Sequence, residues 1–125
     1  MNLVDSSGWL EYFTDSSAAE FYEKALKDIH TLIVPTICLY EVFKVVLREK
    51  GEQEALQAVA LMKQGHVVEL TDQIAIRAAQ ISHRQKLPMA DSLIYATALL
   101  HNAVLWTQDS DFKDIDGVNY IDPNS

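Results

Sequence analysis

The stretch Pro88-Met89-Ala90-Asp91-Ser92-Leu93-Ile94-Tyr95-Ala96-Thr97-Ala98-Leu99-Leu100-His101, followed after Asn102 by Ala103-Val104-Leu105-Trp106-Thr107-Gln108-Asp109, decides how this chain reads. Pro88 suits the opening of a helix, because its fixed φ and missing N–H cost nothing there. The spacing predicts a helix over Met89–His101 and a short apolar strand over Ala103–Thr107. The strand ends in polar residues and an acid. A helix delivering the chain to a short buried strand is the repeating unit of a parallel sheet.

Working outward, the same alternation recurs. Asn2–Val4 reads as a strand running into Asp5-Ser6-Ser7-Gly8, after which Trp9, Leu10 and Phe13 begin a short helix. Ser16 or Ser17 is placed to cap a helix carrying Phe21, Ala25, Leu26 and Ile29. Thr31–Val34 reads as a strand closed by Pro35, and Thr36 offers a cap to a helix that stops at Gly51. A helix over Glu52–Lys63 ends at Gly65, and His66–Leu70 is the next strand. Thr71 or Asp72 caps a helix to about Lys86, and Val118–Ile121 is the last strand. Strands separated by helices must pair through crossovers. The expected fold is therefore α/β: a three-layer sandwich with a mainly parallel twisted sheet of four or five strands flanked by helices. In such sheets ligands sit beyond the carboxyl ends of the strands, where strand order reverses.

The 125 residues suit one domain, expected to span residues 1–125. An apolar content of 49% excludes a disordered chain. The formal charge is −8, and it is uneven. Residues 1–40 carry six acids and two bases, residues 91–125 six acids and one base, and residues 41–90 six acids and seven bases. So acidic a surface disfavours charge-driven binding to duplex DNA or anionic membranes. One cysteine, Cys38, allows no intrachain disulfide. The start of the chain lacks the basic flank of a signal peptide, and Thr31–Leu47 is too interrupted to span a membrane. A cytoplasmic protein is expected.

Asp5 and Asp109 each follow the carboxyl end of an expected strand, and they converge if the first and fourth strands are neighbours. Glu41 stands within Ile37-Cys38-Leu39-Tyr40-Glu41-Val42-Phe43, where burial of an unpartnered carboxylate is costly. Asp91 falls in a first helical turn, where the dipole favours its ionised form. Four such carboxylates together require a cation, and oxygen ligands without His or Cys suit Mg²⁺ or Mn²⁺. One or two such ions promote phosphodiester hydrolysis. Taken singly, each acid also has an ordinary reading: a strand-end turn for Asp5, a dipole partner for Asp91, a solvated pair with Lys44 or Arg48 for Glu41, an Asx turn for Asp109 and Asp111. The four histidines share no metal-ligand spacing, and Cys38 reads as a small core residue. Trp9, Phe13, Phe21, Tyr40 and Phe43 read as core or dimer-face aromatics.

In their order and surroundings these pieces resemble a PIN-domain ribonuclease, above all the VapC-type toxin of a toxin–antitoxin pair. The resemblance is carried by Val4-Asp5-Ser6-Ser7, by Thr36 through Glu41-Val42, by Met89 through Ala98 and by Leu105-Trp106-Thr107-Gln108-Asp109-Ser110-Asp111-Phe112, and it extends to Gly117–Ile121. It implies that Asp5, Glu41, Asp91 and Asp109 are the catalytic, metal-binding acids, with Ser6, Thr107 and Asp111 as auxiliary groups. It further implies a Mg²⁺- or Mn²⁺-dependent endoribonuclease leaving 5′-phosphate ends, a homodimer, and a cognate antitoxin whose basic C-terminal segment covers the acidic groove. Lys44 and Arg48 are the candidate RNA contacts. Many relatives carry a basic residue where Gln108 stands and a small or aliphatic one where Trp106 stands. A processing nuclease without a toxin role is the alternative within the family, as is a PIN module that only binds. A receiver-like Mg²⁺-binding signalling module is the alternative outside it, although Asp5 lacks a paired acid and Lys113 lies in the wrong context.

Overall fold

The computed structural model describes residues 1–124. Five strands, β1 (Asn2–Val4), β2 (Leu32–Pro35), β3 (His66–Val68), β4 (Val104–Thr107) and β5 (Val118–Tyr120), form one sheet in the order β3-β2-β1-β4-β5. Every pairing is parallel, with Asn2 opposite both Leu32 and Val104. Six helices flank the sheet: α1 (Ser6–Phe13), α2 (Ala19–Leu26), α3 (Thr36–Lys50), α4 (Glu52–Met62), α5 (Asp72–Gln85) and α6 (Met89–Leu100). This is the expected sandwich. Leu3, Val4, Leu32, Ile33, Val34 and Leu105 have almost no exposure, as strands covered on both faces require.

The local differences from the sequence reading have physical causes. Helix α1 begins at Ser6 rather than near Trp9, because Asp5 is extended and its side chain accepts the Ser6 N–H, so the strand passes straight into the helix. Neither Ser16 nor Ser17 is the N-cap of α2; Ala18 holds that position, while the Ser16 hydroxyl accepts the Ala18 N–H from outside the helix. Thr36 is the first residue of α3, not its cap. Pro35 takes the cap position with extended backbone and still pairs with Val68 as the last residue of β2. Thr71 does cap α5, accepting the Ile74 N–H at 3.2 Å. Of the aromatics read as core or dimer face, Trp9 is in the core and Tyr40 is 63% exposed on α3, which rules out the core for Tyr40; Cys38 is buried as expected.

Strands β1 and β4 are neighbours at the centre of the sheet. From β1 the order runs one way through β2 and β3, and from β4 the other way to β5. The reversal of strand order thus falls between β1 and β4, and the carboxyl ends of these two strands carry Asp5 and Asp109.

Candidate active site

Asp5 leaves β1 at the point where α1 begins. Its backbone N–H bonds to the Trp106 carbonyl of β4 at 3.0 Å, which holds the two strand ends together. The Asp5 side chain is buried; Oδ1 accepts the Ser6 N–H at 2.7 Å and Oδ2 the Thr107 hydroxyl at 2.8 Å. Thr107 in turn accepts the Asp109 N–H at 3.0 Å. One fully buried hydroxyl therefore joins the acid that follows β1 to the acid that follows β4. Asp109 Oδ1 accepts the Asp111 N–H at 2.9 Å and so caps the 3-10 turn Ser110–Phe112. The Asx turn and the site acid are the same residue.

Helix α6 brings Asp91 to this edge in its first turn. One carboxylate oxygen from each of Asp5, Asp91 and Asp109 lies within 4.8 Å of the others. Glu41, near the middle of α3, lines the same cavity, and its Oε1 accepts the Ser6 hydroxyl at 2.7 Å. The cavity is open, has a volume of about 350 Å³ and is lined by Asp5, Ser6, Ser7, Glu41, Asp91, Gln108 and Asp109. Three larger cavities elsewhere among the described residues, two against α5 and α6 and one between α3 and α4, are lined by no acid.

Crowding shows in the protonation of these acids. Burial pushes the Asp5 carboxyl up to about 6, against the lowering effect of the Thr107 and Ser6 hydrogen bonds, with Glu41 and Asp109 adding repulsion. Asp91 is pushed up to about 8, first by burial and then by its hydrogen bond with Asp109 and the negative charge of Asp109, Asp5 and Asp111. Three oxygen donors within 4.8 Å, with a fourth acid on the cavity wall, fit a hard divalent cation.

The structure thus brings Asp5, Asp91, Asp109 and Glu41 to one cavity, with Ser6 and Thr107 hydrogen-bonded to two of them. Asp111 is exposed and reaches the site through its backbone N–H. Lys44 and Arg48 do not line the cavity. The Lys44 ammonium lies 5.7 Å from the centre of the Tyr40 ring, and Arg48 sits 3.3 Å from Glu49. The solvated pairing of Glu41 with Lys44 or Arg48 is not among the ion pairs of the described residues. Two lining residues had no assigned role in the sequence reading: Ser7, whose hydroxyl donates to Asp5 Oδ2 at 3.4 Å, and Gln108. Their signal was adjacency, one following Ser6 and the other preceding Asp109.

A family model described as the PIN domain matches residues 3–118. The chain belongs to the PIN domain family. Among solved PIN-like structures, a toxin–antitoxin complex from Klebsiella pneumoniae is similar with a TM-score of 0.80 and 25% identity, covering 95% of this chain and 96% of that chain. VapC20 of Mycobacterium tuberculosis, described as a sarcin–ricin loop cleaving toxin, has a TM-score of 0.75 at 18% identity, covering 90% and 92%. DNA-bound VapBC from Salmonella typhimurium has a TM-score of 0.73 at 17% identity, covering 97% and 98%. No curated protein sequence matches the chain. Among the described residues no helix is long and apolar enough to cross a membrane.

Proposed function

We propose that this PIN domain is a Mg²⁺- or Mn²⁺-dependent endoribonuclease acting as the toxin of a toxin–antitoxin pair. The observation that carries the chemistry is the meeting of Asp5, Asp91 and Asp109 within 4.8 Å at the centre of the sheet edge, with Glu41 on the same wall. Asp5, Glu41, Asp91 and Asp109 are the groups that would hold one or two ions. When bound, such an ion supplies the positive charge that activates water and stabilises the leaving oxygen during in-line displacement at phosphorus. Thr107 and the Ser6 N–H orient Asp5 and partly offset the cost of burying its charge, and the Ser6 hydroxyl fixes Glu41. Addition of water across the P–O3′ bond leaves a 5′-phosphate and a 3′-hydroxyl.

The toxin role is supported by the likeness to the Klebsiella toxin–antitoxin complex over nearly the whole of both chains, and the RNA substrate by the likeness to a toxin that cleaves the sarcin–ricin loop. The partner that fits a cavity walled by four carboxylates is an antitoxin with a basic C-terminal segment. A homodimer is the expected assembly. The receiver-like alternative loses its support, because receiver domains have the strand order 2-1-3-4-5, whereas this sheet runs 3-2-1-4-5.

The test is cleavage of single-stranded and loop RNAs by the purified protein, with Mg²⁺ and with a chelator. Asp5→Asn and Asp91→Asn should each lose at least about a hundredfold in rate, in line with the loss of a group that stabilises transition-state charge, while the folded far-ultraviolet signal is kept. Full activity of either variant would sink the carboxylate mechanism.

A further inference from the structure

One side chain in the acidic cavity has no part in the chemistry above. Gln108 lines the cavity beside four acids and two serines, and among the described residues it is the lining side chain that carries N–H donors. The serine hydroxyls have partners within the chain, Ser6 donating to Glu41 at 2.7 Å and Ser7 to Asp5 at 3.4 Å, with Ser7 also hydrogen-bonded to Tyr22. The Gln108 carboxamide is held at both ends: Oε1 accepts from the Tyr22 hydroxyl at 3.2 Å, and Nε2 donates to Glu11 Oε1 at 3.2 Å. The other oxygen of Glu11 accepts the Ser16 hydroxyl. A carboxylate can face only the amide nitrogen, so the direction of the amide is set. One Nε2 hydrogen uses Glu11, which leaves the second for a ligand.

Tyr22 is fully buried, and the chain makes specific room for it. A Cβ on Gly8 would lie 2.5 and 2.6 Å from Tyr22 Cε1 and Cδ1 and 2.6 Å from Val4 Cγ1. The ring therefore fits under the first turns of α1 only because position 8 has no side chain. A phenylalanine would fill the same slot, so packing alone does not call for the hydroxyl. A buried hydroxyl costs free energy unless it is bonded; this one donates to Gln108 and also hydrogen-bonds with Ser7.

We propose that Gln108 is the group by which this site grips a phosphoryl oxygen of single-stranded RNA through a neutral hydrogen bond, and that Tyr22 is the positioning residue that aims it. The inference rests on one part of the ribonuclease reading, that this site takes RNA. With a formal charge of −8 and no Lys or Arg among the described residues lining the cavity, a backbone phosphate placed beside the acids has Gln108 as its side-chain donor.

Two measurements test it: steady-state cleavage, and anisotropy of a labelled single-stranded oligoribonucleotide bound to the Asp91→Asn protein. Each is made with Gln108→Ala, with Tyr22→Phe and with both. Gln108→Ala should weaken binding and raise KM by about three- to tenfold, the range of one hydrogen bond, with kcat within about twofold. Tyr22→Phe should do the same while its melting temperature shows that the slot is still filled. The double variant should be no worse than Gln108→Ala, because Tyr22 acts through the amide. Multiplying losses in the double variant, or unchanged binding in both single variants, would overturn the proposal. If the wild-type chain cuts RNA while the variants bind normally, this inference falls and the nuclease stands. If RNA is bound with these dependences but never cut, the nuclease falls and the grip on phosphate stands. Failure of the oligoribonucleotide to bind at all overturns both.

Discussion

At the scale of the residue, Thr107 shows how little material ties the site together. Its hydroxyl donates to Asp5 Oδ2 and accepts from the Asp109 backbone, so one oxygen sets the distance between acids 104 positions apart in the chain. Thr107→Val keeps the shape and removes both bonds. On the proposed metal-dependent function it should lower cleavage by about tenfold to a hundredfold, the range for losing a group that orients a metal-binding acid, and Thr107→Ser should recover most of it. A Thr107→Val enzyme with wild-type kcat/KM would show that Asp5 is held by other means. The acids themselves were legible in the sequence because each sits just beyond an apolar strand or in a helix among apolar neighbours. The distances were not: nothing in Thr107-Gln108-Asp109 states that the threonine turns inward to Asp5 and the glutamine toward Tyr22 and Glu11.

At the scale of the element, the helix starts divide into those set by a side chain and those set by the backbone. Thr71 caps α5 by accepting the Ile74 N–H, and Thr71→Ala should cost about 1 kcal/mol of stability by chemical denaturation. Cleavage should be unchanged, since α5 contributes no residue to the acidic cavity. An equal loss of activity would mean that α5 supports α6 and Asp91 more tightly than the cap alone suggests. Helix α3 was read correctly as an element, but its first turn was not. Thr36 looked like a cap because threonine favours that position, yet Pro35 holds it as the last residue of the preceding strand. Local preference yields here to sheet pairing, with Pro35 opposite Val68. Helix α1 follows the same logic, since Asp5 both caps the helix and ends the strand. A single acid does both jobs, which is why the site lies directly against the sheet.

At the scale of the whole molecule, stability without a cation should depend on pH in a direction opposite to that of most carboxylates. Asp5 and Asp91 are raised from 3.8 to about 6 and about 8, so between those limits the folded chain holds more protons than the unfolded chain. Stability then falls as pH rises through that window. In a chelating buffer the melting temperature should be higher at pH 5 than at pH 8, and Mg²⁺ should raise it more at pH 8, where it does not compete with protons. A melting temperature that climbs from pH 5 to pH 8 in chelator would contradict this account of the cluster. By itself the sequence determined the α/β alternation, the buried strands, and the four acids at strand ends and on helices, because apolar periodicity and the cost of burying charge act along the chain. Tertiary structure alone decided that β1 and β4 are neighbours, that Asp5, Asp91 and Asp109 share one space while Lys44 and Arg48 stand apart, and that Gly8 opens a slot for Tyr22. Those outcomes depend on distances between residues far apart in the chain, which the pairing order of the strands and the packing of helices against them set.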